Sequence, residues 1–77
     1  MIIIRLTDDE KQPTNLWYNL AKQAELTKTE SETIYDRIRK IVDQYGGRYY
    51  GGTWLHGLII FDPDKDEEAA LFVLKFS

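Results

Sequence analysis

The chain has 77 residues, 43% hydrophobic and 30% charged, which is the balance of one soluble folded domain and not of a disordered segment. The formal net charge of -3 is too small to point toward nucleic acid or away from it, and the absence of cysteine excludes a disulfide framework, a thiolate metal site and a cysteine nucleophile. A domain of this size buries only about 60% of its unfolded surface, so its core gains from association with a partner protein or a second copy as a homodimer.

Met1-Ile2-Ile3-Ile4 is followed at once by Arg5, so no signal-peptide core forms there. Nothing approaches the roughly 20 apolar residues of a membrane span. The expectation is a cytoplasmic protein with no membrane contact. Ile2, Ile3, Ile4 and Leu6, ended by the solvated carboxylates of Asp8, Asp9 and Glu10, read as a buried, central strand.

Pro13 suits the first turn of a helix, where its missing N–H costs nothing. Leu16, Trp17, Leu20, Ala21 and Ala24 then share one helical face, and the pattern fades near Leu26. Thr29 with Glu32 three residues on reads as a capping box opening a second helix. In that helix Ile34, Ile38, Ile41, Val42 and Tyr45 draw a single apolar stripe, with Asp36 and Lys40 as an i,i+4 ion pair. Gly46 supplies the left-handed residue that ends it.

Arg48-Tyr49-Tyr50 reads as a short strand, Gly51-Gly52 as the tight turn, and Thr53 to Phe61 as its longer hairpin partner. Alternation puts Trp54, His56, Leu58 and Ile60 on one face and Leu55, Gly57, Ile59 and Phe61 on the other. Both faces are apolar toward the end, so the strand is interior or has one face covered by a partner. Gly57 marks a bulge or a close backbone approach. After the Asp62-Pro63-Asp64 turn, either Asp62 or Asp64 caps a last helix with Asp66, Glu67 and Glu68 in its first turn and Lys75 in its last. Ala69, Phe72, Val73 and Phe76 form its apolar face, although Phe72, Leu74 and Phe76 also alternate as a strand would. The fold class is α+β, a small ferredoxin-like (split βαβ) variant: a three-stranded, mainly antiparallel sheet with helices on one face.

Ile60-Phe61-Asp62, followed by Glu68-Ala69-Ala70-Leu71-Phe72-Val73-Leu74-Lys75-Phe76, resembles the C-terminal segment of short uncharacterised accessory proteins of tailed bacteriophages. In those, a strand ending in Phe precedes acidic residues, Ala, Phe, Leu and a final aromatic residue. The resemblance covers about the last quarter of the chain. It implies a phage accessory or inhibitor protein acting on a host protein, with no catalytic residue to carry over.

The chemistry-bearing residues assemble no catalytic set. Asp62, Asp64 and Asp66 alternate like the start of a calcium loop, but the sixth and twelfth positions hold Glu67 and Val73 where Gly and a bidentate Glu are needed, so a solvated turn and helix cap accounts for them. His56 is the sole histidine, which leaves no second imidazole for zinc, and Ser31 and Ser77 are the only serines. The glycine pairs fit no phosphate-binding pattern. No catalytic residue, metal site or cofactor is expected.

Arg48, Tyr50, Trp54 and His56 are the informative cluster. Aromatic residues and arginine on a small sheet are used for core packing, for protein interfaces, or for stacking nucleic-acid bases. The acidic loops oppose phosphate, and no RNA-recognition signature is present. The expectation is a non-enzymatic protein-interaction module that binds a host protein through these four residues, with a small nucleic-acid-binding domain as the alternative.

Overall fold

A computed structural model describes residues 1–52 and 55–77, with the backbone alone at 52, 55 and 56. The elements are β1 (Ile2–Arg5), α1 (Asn15–Thr27), α2 (Ile34–Gln44), β2 (Arg48–Gly52), β3 (Leu55–Phe61), a 3₁₀ turn (Pro63–Lys65) and α3 (Asp66–Phe76). The fold is therefore α+β: three helices and a three-stranded antiparallel sheet.

β3 is the central strand. It pairs antiparallel with β1 on one side, Ile2 opposite Phe61 and Arg5 opposite Leu58, and with β2 on the other, Arg48 opposite Ile60 and Tyr50 opposite Leu58. The order is β1-β3-β2, so the two outer strands run parallel to each other with β3 between them. This places β1 at an edge, not at the centre. Three successive isoleucines carry no period, and the run reads as buried on both faces; in the structure Ile2 and Ile4 pack toward the core while Ile3 points the other way and is exposed. Beyond β1 the chain turns around Asp8, whose Oδ1 accepts from the amides of Glu10 and Gln12 at 2.9 Å.

The start of α1 differs from the expected one. Thr14 is the N-cap, its hydroxyl accepting from the Trp17 amide at 3.3 Å, and Pro13 stands before the helix, bridged to Thr7. Trp17, Leu20 and Ala24 are the buried positions. The capping box of α2 is also shifted by four residues: Thr33 and Asp36 form it, Thr33 Oγ1 accepting from Asp36 N at 3.1 Å and Asp36 Oδ2 from Thr33 N at 3.3 Å. Glu32 still accepts from the Thr29 amide at 2.8 Å, but inside the connecting loop. There its other oxygen takes Lys40 Nζ at 2.5 Å. Lys40 is thus paired with Glu32 instead of Asp36, and Asp36 lies 3.7 Å from Arg39. Tyr45 caps α2, and Gly46 follows with φ 85°, the left-handed exit that a glycine accepts without strain.

Gly51 and Gly52 belong to β2 and not to the turn, and the register slips between Tyr50 and Gly52. The turn expected from them, like Thr53 and Trp54, lies outside the described residues. Gly57 is the close approach: it has φ 88°, and its α-carbon stands against the backbone of Tyr50. At the chain's end the helical alternative holds and Leu71–Phe76 is no strand. Neither Asp62 nor Asp64 caps α3: Lys65 stands at its N-cap, Asp62 precedes the 3₁₀ turn without a side-chain capping bond, and Asp64 lies within that turn. Val73 is exposed, so Ala69, Phe72 and Phe76 alone bury α3.

All three helices lie on one face of the sheet, where Leu6, Tyr49, Ile59 and Phe61 meet Leu20, Ile38, Val42 and Phe72. An aromatic run ties α3 to the rest: Phe61 to Phe72 with ring centroids 5.9 Å apart, Phe72 to Phe76 at 4.9 Å, and Tyr45 edge-on to Phe72 at 5.4 Å. Such rings contribute roughly 0.5–1.5 kcal/mol per pair beyond their buried area.

Candidate functional site

The helices leave the other face of the sheet open. Strand alternation sends Ile3 and Arg5 of β1, Arg48 and Tyr50 of β2, and Leu58 and Ile60 of β3 to that face. The register arranges them in two cross-strand rows. Ile3, Ile60 and Arg48 form one, and Arg5, Leu58 and Tyr50 the other. An apolar band therefore crosses the sheet diagonally from Ile3 to Tyr50, each 51% exposed, with an arginine at either free corner.

Tyr49 and Tyr50 show how alternation divides neighbouring residues. Tyr49 lies in the core, and burial, with Tyr35 beside it, pushes its phenol up to about 12 even though Arg39 stands 5.8 Å from the ring centroid. Tyr50 turns its ring to solvent. Arg48 Nη2 donates to Asp62 Oδ1 at 3.0 Å in an exposed ion pair of the kind worth at most about 1 kcal/mol, so Arg48 is held upright at little cost to exchanging partners. Among the described residues Arg5 has no ion-pair partner. It borders a shallow cleft of about 230 Å³, lined also by Thr7, Gly57 and Leu58.

Of the four residues expected to form the site, Arg48 and Tyr50 meet on this face. Trp54 lies outside the described residues, and only the backbone of His56 is described, within β3. The reading from sequence missed Ile3 and Arg5. The signal was local: Arg5 stands two residues after Ile3, which marks their shared face as the one that keeps a charge in water.

Asp62 holds Arg48, Asp66 begins α3, and among the described residues no three His, Cys, Asp or Glu are grouped to hold a metal. No helix among the described residues is long and apolar enough to cross a membrane. Comparison of the chain with protein-family models, with curated proteins and with solved structures gives no match.

Proposed function

We propose that the protein is a non-enzymatic interaction module that docks a partner protein on the open sheet face. The observation that carries this reading is the diagonal apolar band from Ile3 to Tyr50 between Arg5 and Arg48. Tyr and Arg are the residues on which binding energy concentrates at protein interfaces, when apolar neighbours exclude water around them. The matching surface is an apolar patch with carboxylates at its rim, since each arginine fork donates two parallel hydrogen bonds to a carboxylate. The cleft beside Arg5 and Leu58 takes one projecting side chain of that partner. The C-terminal resemblance makes the partner a host protein and the role that of a phage accessory or inhibitor. The strand order β1-β3-β2 supports reading the fold as a ferredoxin-like split βαβ variant, in which β1 and β2 would be the parallel strands around β3.

The test is retention of a bacterial host protein by the immobilised chain after nuclease treatment, with Ile3→Asp and Tyr50→Ala as variants. The expected result is one identified protein that stays bound in high salt and loses about tenfold or more in affinity with either variant. A gel shift with single-stranded DNA or RNA that fades steeply with salt and requires Tyr50 and Arg5 would overturn it, because counterion release is the mark of phosphate contacts.

A further inference from the structure

α3 carries a second surface on the helical side of the molecule. Its core face is Ala69, Phe72 and Phe76. At roughly 100° per residue the opposite face consists of Glu67, Ala70, Leu71 and Leu74, with Lys75 beside them. Leu71 is 59% and Leu74 78% exposed, and Ala70 joins them into one stripe pointing away from the core. A single exposed leucine needs no explanation, but a helix that is apolar on both sides is normally a covered helix. α2 makes the contrast, since its outer positions Asp36, Arg39, Lys40 and Asp43 are all charged.

We infer that this stripe is the contact of a symmetric dimer in which α3 pairs antiparallel with α3 of a second copy. The charge order of the helix selects that occupant. Asp66, Glu67 and Glu68 fill the first turn and Lys75 the last. Parallel pairing would set acidic turn against acidic turn, whereas antiparallel pairing sets each acidic turn against a lysine. The register follows from the spacing. Glu67 and Lys75 lie four residues on either side of Leu71, on the same face, and among the described residues neither is in an ion pair. A two-fold axis at Leu71 therefore stacks Leu71 on its own copy and brings Glu67 of each chain to Lys75 of the other. Leu74 then falls beside Ala70 of the second chain, whose small side chain lets the helices close. An eleven-residue helix is only about 16 Å long, so the contact is small and the dimer is a weak, reversible one. The open sheet face stays free in both copies, so this dimer stands independently of the partner proposed above.

The test is sedimentation of the full chain from micromolar to millimolar concentration, with circular dichroism on each variant to show that it is folded. A reversible dimer is expected, weakened about tenfold or more by Leu74→Glu. Glu67→Lys and Lys75→Glu each weaken it, and the double variant restores it, because the exchanged charges meet again across the axis. Leu71→Cys gives a test that does not depend on the charges. The chain has no other cysteine. Helix axes roughly 8–10 Å apart put the two Leu71 α-carbons within about 6 Å, inside disulfide range. Leu71→Cys is expected to cross-link to itself on mild oxidation much faster than the exposed control Asp43→Cys. A chain that stays monomeric throughout, a double charge exchange that restores nothing, or equal cross-linking of the two cysteine variants would each overturn the proposal.

Discussion

Gly57 stands directly against the carbonyl oxygen of Tyr50: a Cβ at Gly57 would lie 1.9 Å from that oxygen and 2.7 Å from Cα of Gly51. The neighbours are backbone and cannot swing aside. Gly57 also has φ 88°, where a side chain costs about 1–3 kcal/mol before any clash. Gly57→Ala is therefore expected to lose more than that figure, enough to abolish a cooperative melt in so small a domain. A variant that melts within a few degrees of the parent would show that β2 and β3 do not pack this closely.

Gly46→Ala isolates the backbone term. Its φ of 85° is nearly the same, but the nearest atom to an added Cβ is Cδ of Lys65 at 3.4 Å, on a flexible side chain that can yield. The expected cost is about 1–2 kcal/mol, that of the left-handed conformation alone. Denaturant titration of the two variants side by side checks the difference.

Periodicity within one element made much of this fold legible. The Ile34, Ile38, Ile41, Val42 stripe gave α2 its face, the acidic first turn gave α3 its start, and Gly57 declared a close approach. Pairing between distant elements left no such mark. Nothing in Ile2-Ile3-Ile4 says that the strand is an edge, because that depends on β3 taking the centre, far along the chain. The two patterns Thr29-x-x-Glu32 and Thr33-x-x-Asp36 both fit a helix start; in the structure the second opens α2, and Glu32 pairs with Lys40 from the loop. The site divided the same way. Alternation within β2 placed Tyr50 opposite Tyr49 in face, and alternation within β1 puts Arg5 on the face of Ile3, but only the β1–β3 register sets that pair beside Ile60 and Leu58.

Ile38 tests the packing of α2. It is fully buried, near the middle of the helix. Ile38→Ala is expected to cost about 2–5 kcal/mol, lowering Tm by roughly 10 °C or more. A smaller shift in a thermal melt would mean that this face is not the buried one.

Glu32 makes stability fall in acid. The hydrogen bond from Lys40, then that from the Thr29 amide, hold its carboxyl down at about 2, from an ordinary 4.5, with Arg37 adding to the pull. The folded state therefore binds this proton less readily than the unfolded chain. The stabilisation is fully present above pH 4.5 and drains away as pH falls toward about 2. Denaturant midpoints across that range should fall less steeply for Glu32→Gln than for the parent, and Lys40→Met should flatten the profile similarly. Parallel profiles for parent and variants would count against the pairing.

Tyr49 acts at the alkaline end with the opposite sign. Burial raises its phenol from 10.0 to about 12, so here the folded state holds the proton more tightly than the unfolded chain does. The contribution is complete below pH 10 and is lost as pH climbs toward 12, when the buried phenol must either ionise in the core or leave it. Tyr49→Phe keeps the ring and removes the titrating group. Its stability should decline less steeply than the parent's between pH 10 and 12, in urea titrations followed by circular dichroism. The tyrosinate absorbance of the native parent should contain one late-titrating tyrosine that the variant lacks. If parent and Tyr49→Phe lose stability at the same rate and show the same number of late tyrosines, Tyr49 is not in the core, and the division of faces that exposes Tyr50 is wrong with it.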